Sequence, residues 1–387
     1  MATVRNANDA NDLVSETGNT ASPMSPKARC GSSTTFLGLG AVSSAYLDET
    51  RGLCQREMPG AAPACYSLVG MNPPVAPARE PQSAGAVLMV RPARFAFNPQ
   101  TAASNAFQST QLQAGDSAVQ ESALREFDAL AGKLVHAGVT VIAAEDTPSP
   151  VKPDAVFPNN WVSFHRDGTV VLYPMLAANR RWERREELIQ QVTRDGGFRV
   201  TQTVDLSYRE DQGKFLEGTG SLVLDRAERI AYAALSPRTD LDVLGEFAQQ
   251  LDYDLVTFDA FDPGGKPVYH TNVLMAVGSR FAVLCGETIS DRGHRGAVTE
   301  KLRATGHEVL EISMSQMIRF AGNILELSPA SGPVIAMSDT AWNSFDPAQR
   351  RILEAHGSVV AADIPVIEGL GGGGVRCMLA EIHLPKR

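Results

Sequence analysis

The sequence predicts an α/β fold made of five copies of one ββαβ-type unit, closing in a ring around one central site. Two observations carry the repeat. From Gly85 onward a helix-like stretch that ends at a turn and runs into a short β-rich strand returns five times, roughly every 50–60 residues, within the range that marks a repeat architecture. Most of those helices are preceded by two β-rich runs joined by a short turn. A third observation places the site: polar clusters stand just before the first strand of successive units. An open α/β sheet of similar elements is the alternative at this point.

In chain order, the first helix and strand are expected over 122–136 and 139–143, with Gly138 between. The second pair spans 184–193 and 198–200, around Asp195-Gly196-Gly197. The third spans 241–251 and 255–258, the fourth 296–304 and 307–312 around Gly306, and the fifth 347–355 and 358–361 around Gly357. Glycine after four of the five helices is the usual C-terminal stop. The strand pairs are 161–165 with 169–173 across Arg166-Asp167-Gly168, 221–224 with 229–233, and 272–277 with 281–285 across Gly278-Ser279-Arg280.

Residues 1–83 read differently. Ala, Ser, Pro, Asn and Gly dominate, without a sustained helical or strand period. Such a stretch cannot bury enough apolar surface to offset its chain entropy, so a disordered leader is expected before a catalytic domain over 84–387. The weakly apolar run 34–42 lies too far inside for a signal-peptide core and lacks a basic lead. Met71, just before Asn72-Pro73-Pro74, is the expected start if the leader is not translated.

Composition narrows the function. The 387 residues are 43% hydrophobic and 20% charged, an ordinary globular balance. A net charge of −9 gives no support to a nucleic-acid partner. No apolar run approaches ~18 residues, so no membrane partner is expected. The five cysteines, Cys30, Cys54, Cys65, Cys285 and Cys377, are irregularly spaced and form neither a disulfide framework nor a CxxC metal pair. That usage suits a reducing, cytoplasmic setting.

Chemistry concentrates in the clusters. Asp154 and Asn160 fall in Pro153-Asp154-Ala155-Val156-Phe157-Pro158-Asn159-Asn160, Glu217 in Leu216-Glu217-Gly218-Thr219-Gly220, and His270 and Asn272 in Tyr269-His270-Thr271-Asn272. The fifth cluster is Gly369-Leu370-Gly371-Gly372-Gly373-Gly374-Val375-Arg376-Cys377, a backbone free to approach a ligand closely and followed at once by a thiol. Each cluster alone has an ordinary reading: a turn aspartate, a common Glu-Gly loop, a structural histidine, a small buried cysteine in a flexible tail. Together they supply two carboxylates, an imidazole and a thiol. A thiolate is the nucleophile, favoured near an imidazolium, and a histidine can protonate a leaving amine and then activate water. Two carboxylates with no cation between them call for a ligand rich in N–H groups, a guanidinium or a ureido group.

From about Ala86 to His383 the chain resembles the guanidine-modifying enzymes of the pentein superfamily: arginine deiminase, dimethylarginine dimethylaminohydrolase and the amidinotransferases. The resemblance rests on Val90-Arg91-Pro92, Phe157-Pro158-Asn159-Asn160-Trp161, Asn179-Arg180-Arg181, Leu216-Glu217-Gly218-Thr219-Gly220 and Tyr269-His270-Thr271-Asn272. It looks closest to the branch called citrulline utilisation hydrolase. It implies a five-bladed α/β propeller and covalent thiol catalysis without metal or organic cofactor. By motif position it implies Cys377 as nucleophile, His270 as general acid and base, and Asp154 and Glu217 as holders of substrate N–H groups. It also implies Arg238 on the substrate α-carboxylate, with Arg180 as its partner. Arginine deiminases have an aspartate where Asn272 stands, and a neutral amide there suits a neutral ureido group better than a cation.

The expected reaction is therefore hydrolysis of citrulline to ornithine, ammonia and carbon dioxide. Arginine deimination, dimethylarginine hydrolysis and amidino transfer use the same residues and stay open, as does homo-oligomerisation. A non-catalytic pentein that only binds is the rival from another class, and it has no need of all four of Cys377, His270, Glu217 and Asp154. A cysteine protease leaves the repeats unexplained.

Overall fold

The computed structural model describes residues 80–109 and 116–387. The expected leader through residue 79, with Met71, Cys30, Cys54 and Cys65, lies outside the described residues. Among them, no helix is long and apolar enough to cross a membrane.

The strands form five separate three-stranded sheets rather than one open sheet. They are β1 (Ala86–Arg91), β2 (Thr140–Glu145), β3 (Val162–Phe164), β4 (Thr169–Leu172), β5 (Gln202–Asp205), β6 (Val223–Asp225), β7 (Ile230–Ala234), β8 (Asp254–Phe258), β9 (Met275–Val277), β10 (Phe281–Leu284), β11 (Glu308–Glu311), β12 (Leu325–Leu327), β13 (Val334–Ser338), β14 (Ser358–Ala362) and β15 (Ala380–Glu381). The sheets are β15-β1-β2, β3-β4-β5, β6-β7-β8, β9-β10-β11 and β12-β13-β14. In each, the middle strand pairs antiparallel on one side and parallel on the other. The parallel partner follows a helix: Asp116–His136, Glu186–Asp195, Leu241–Leu251, Arg292–Ala304 or Pro347–His356.

Burial explains the order. The middle strands β7, β10 and β13 are buried at every position and read as near-continuous apolar runs. The outer strands β8, β11 and β14 are buried at one position each and carry polar residues on their open face. The helix Leu241–Leu251 shows how the units are clamped: Asp240 caps its first N–H groups, and Val243, Leu244, Phe247 and Leu251 bury one stripe, each contributing about 1.5–3 kcal/mol.

Four details depart from the sequence reading. The second helix is followed by a strand at Gln202–Asp205, not at 198–200, because Phe198 is buried and its backbone bridges Lys386 instead of pairing with β4. Gly138 and Gly306 take the left-handed turn expected of a stop, but Gly357 is extended at φ 179°, and the third helix ends on a left-handed Asp252. The turn carrying Cys377 leads into β15, which completes the first sheet; it does not belong to the fifth unit. The fifth unit has its own strand pair, β12 and β13, which the sequence reading passed over.

Residues 80–83, part of the expected leader, are built into the domain. Gln82 donates to Leu224 O and Val277 O and accepts from Arg226 N. Ser83 donates to Glu326, and Glu80 accepts from Arg166 N and pairs with Arg226, Arg229 and His383. These partners come from or follow β3, β6, β9, β12 and β15, one strand from each sheet, so this short segment ties all five units at one end.

Candidate active site

The N-terminal ends of the same five strands carry the candidate chemistry. A short turn stands before each: Pro158–Asn160 before β3, Gly218–Ser221 before β6, Thr271–Leu274 before β9, a turn closed by Asn323 N on Phe320 O before β12, and Val375–Met378 before β15. The turns bond in succession. Thr219 donates to Asn159 O, Thr271 to Ser221 O, and Asn323 Nδ2 to Asn272 O at 2.9 Å and to Cys377 Sγ at 3.3 Å. The Cys377 turn returns to the first through Gly373, which packs on Phe157. Close approach is built into Gly218: its φ is 46°, and a Cβ there would collide with the Asn159 and Asn160 backbone.

These turns surround a narrow cavity of about 10 Å³, room for about one water molecule, lined by Cys377, His270, Asp154, Asn160, Arg180 and Arg238, with Tyr269 and the glycines Gly371, Gly372 and Gly373. Glu217 and Asn272 stand one layer behind. The other side of the space is covered by residues 98–108. Asn98 donates to Asp154 Oδ2 at 2.7 Å, Asn105 to Gly371 O, and Gln108 to Leu370 O.

His270 Nε2 lies 2.8 Å from Glu217 Oε2. An ionised carboxylate offers only lone pairs, so Nε2 carries the hydrogen and Nδ1 is left as the basic nitrogen. Burial works to raise the Glu217 carboxyl, but Arg238, His270 and Arg180 together outweigh it and hold it well below the usual range. Burial pushes His270 down to about 4 despite Glu217, so the imidazole is neutral at neutral pH. Cys377 is 3% exposed, and burial pushes its thiol up against the pull of Asn323, Arg376, Asn272 and Arg180. Both shifts favour the uncharged pair, thiol and imidazole, over the thiolate and imidazolium that the residue types suggest.

The carboxylates are not without cations, as the sequence reading had supposed. Arg180 lies 3.7 Å from both Asp154 and Glu217, and Arg238 lies 3.2 Å from Glu217. Arg180 forks onto Glu183 with two 2.9 Å bonds and donates to Asn160 Oδ1. Arg238 donates to Ser104 and to Thr101 O and lies over the Tyr269 ring at 4.9 Å. What stays open is Asp154 Oδ1, buried without a hydrogen-bond partner, together with Asn160 Nδ2 and Asn323 Oδ1. Burial raises the Asp154 carboxyl, with Arg180 opposing.

Sequence reasoning missed Asn323, Glu183 and the covering residues 98–108. Asn323 had a signal: Gly322-Asn323 precedes the alternating Ile324-Leu325-Glu326-Leu327, the same arrangement that leads from Tyr269-His270 into β9. Glu183 and residues 98–108 had none, because their place depends on tertiary contacts.

Solved structures share the fold. The product-bound N-terminal domain of ArgZ, an arginine dihydrolase from cyanobacteria, is 18% identical with a TM-score of 0.60 over 78% of this chain and 99% of that one. Unliganded AgrE is 17% identical with a TM-score of 0.60, and the match covers 78% of this chain but only 40% of AgrE. A dimethylarginine dimethylaminohydrolase in adduct with S-methyl-L-thiocitrulline is 15% identical with a TM-score of 0.53 over 77% of this chain and 99% of that one. No curated protein matches in sequence. The family model described as N,N dimethylarginine dimethylhydrolase, eukaryotic, matches residues 91–384, and by that match the chain belongs to this family of the pentein superfamily.

Proposed function

We propose that this chain is a hydrolase that opens the guanidino or ureido group of a small amino acid by covalent cysteine catalysis, with citrulline preferred. The five sheets are read as blades of a five-bladed α/β propeller; their common strand order and the succession of bonded turns support it. The observation that carries the chemistry is Asp154 Oδ1, buried and unpartnered in the cavity that holds Cys377 and His270. A buried carboxylate oxygen without a donor is costly, and a ligand N–H supplies the missing partner.

In this reading the Cys377 proton passes to His270, whose imidazolium is held by Glu217. The thiolate attacks the ureido carbon, the bond from that carbon to the side-chain nitrogen breaks, and His270 returns the proton to the departing amine. A carbamoyl thioester remains. Water, deprotonated by His270, releases it as carbamic acid, which gives ammonia and carbon dioxide. Arg238 and Arg180 take the α-carboxylate only if they exchange their present partners. Asn272 beside Sγ and its neutral amide support citrulline. A guanidinium substrate, arginine or a methylated arginine, is the second reading, supported by the Asp154 carboxyl that burial has raised and that a cation would draw back down.

The test is ammonia release from purified protein on citrulline, arginine, methylarginines and agmatine. Turnover of citrulline above the others supports the first reading. Turnover of arginine or methylarginine alone moves the site to the second, and none with any of them overturns both.

A further inference from the structure

We propose that Asn323 is the residue that holds the Cys377 sulfur in its reactive, ionised form. The inference rests on the reading of Cys377 as nucleophile and adds a residue to it. Among the described residues the hydrogen-bond partners of Sγ are two carboxamides: Asn323 Nδ2 at 3.3 Å and the Asn272 side chain at 3.6 and 3.8 Å. The nearby guanidiniums are turned elsewhere, Arg376 onto Glu381 and Leu379 O, Arg180 onto Glu183. Among the described residues the His270 imidazole makes no hydrogen bond to Sγ: Nε2 is held by Glu217, and Nδ1 packs against Gly220. The negative charge that forms on sulfur must therefore meet N–H dipoles, and Asn323 offers the nearest.

Its orientation is fixed. Nδ2 also donates to Asn272 O at 2.9 Å, and a flipped amide would set oxygen against oxygen there. One Nδ2 hydrogen goes to that carbonyl and the other faces sulfur. Two further features mark a position kept for a task. Asn323 Oδ1 is buried without a hydrogen-bond partner, which an apolar residue of the same size would avoid. The turn that aims Asn323 contains Phe320 at φ 62°, a left-handed conformation that a bulky side chain rarely adopts. Strain and an orphaned acceptor on one four-residue turn are what a structural turn would be relieved of.

The experiment is the pH dependence of iodoacetamide alkylation at Cys377, read by mass spectrometry of its peptide, in wild type, Asn323→Leu and Asn323→Asp. Removing the donor in Asn323→Leu should shift the profile up by about one pH unit, making alkylation at neutral pH about tenfold slower. Asn323→Asp has nearly the same shape but places a carboxylate against sulfur, and should shift it further. Alkylation of Cys285 serves as the internal control and should not change. If Asn323→Leu does not fold, Asn323→Ala takes its place as the variant that removes the donor without adding a charge, and the same upward shift is expected. An unchanged profile in a folded variant overturns the proposal. A Cys377→Ala protein that still turns over substrate overturns the nucleophile reading instead, and the alkylation profile then still reports whether Asn323 tunes the thiol.

Discussion

At their N-terminal ends β3, β6, β9, β12 and β15 gather Asp154, Glu217, His270, Asn323 and Cys377; at their C-terminal ends they gather His165, Arg226, Glu326, Glu381 and His383. The side chains of both groups are buried, and both stand among charges of either sign, the first group through Arg180 and Arg238. The difference lies in how completely they are paired. At the C-terminal end Arg226 faces Glu80, Glu381 pairs with Arg376 and His383, and Glu326 accepts from Ser83 and Ser279; Asp225 Oδ2, at the end of β6, is the one buried atom there without a hydrogen-bond partner among the described residues of these five strand ends, and it lies 3.9 Å from His307 Nδ1. At the N-terminal end Asp154, Asn160 and Asn323 each keep one buried polar atom without a hydrogen-bond partner. A nearly satisfied buried network serves as structure, and one that leaves several atoms open around a cavity is where a ligand completes it.

That contrast can be broken at either end. The largest effect is expected for Cys377→Ala, which should lower turnover by at least about a thousandfold while the melting temperature stays within a few degrees. Cys285→Ala, a buried thiol outside the cavity, should leave turnover in place. Steady-state assays beside thermal melts check both, and a Cys377→Ala enzyme of full activity sinks the mechanism. At the other end the expectation reverses. Arg226→Ala leaves Glu80 and Glu381 short of a buried partner and should cost about 3–5 kcal/mol, roughly 10 °C in melting temperature, with little change in turnover per folded molecule. Removing residues 1–70 should leave the melting temperature unchanged, whereas removal through Ser83 should lower it, because Gln82 and Ser83 bridge β6, β9 and β12.

Two smaller effects sharpen the reading of the site. Asn272→Asp adds a carboxylate beside Sγ, which a neutral substrate cannot compensate and a guanidinium partly can. The ratio of kcat/KM for citrulline over arginine should fall by at least about tenfold, ~1.4 kcal/mol; a ratio that stays or rises removes the argument from Asn272. The pH profile follows from His270. Its pKa is depressed to about 4, so it becomes charged only as the pH falls toward that value. The folded state therefore binds fewer protons here than the unfolded chain between about 6.5 and 4. Stability should decline as the pH drops through that window, and kcat/KM should change less than about twofold between pH 6 and 8. An acid limb near pH 6.5 would show that His270 is not held neutral.

Much of this was legible in the sequence. Helices announced by glycine stops were found close to their C-terminal ends, because such stops are local, whereas the Asp291 cap went unread and the fourth helix begins at Arg292 instead of 296. The candidate residues that precede strands already recognised were found as well. Asn323 escaped because the strand pair β12 and β13 was not identified, so nothing marked the turn before it. The partners of Arg180 and Arg238 escaped for a different reason. Glu183 and Ser104 give no periodic or turn signal, and which carboxylate or hydroxyl a buried guanidinium selects is decided by the packed whole. Residues 80–83 look like the polar stretch before them, and only their hydrogen bonds set them apart.

The pairing of β15 with β1 also bears on how the protein becomes active. Val87 opposes Glu381, partners far apart along the chain, and the Cys377 turn leads directly into that pairing. Contacts between such distant segments form late, because a long loop must close before they can reward the cost of closing it. Cys377 thus joins His270 at the cavity in the same event that seats the final strand. Recovery of turnover during refolding should lag behind recovery of helical circular dichroism, and the enzyme would report its own completion.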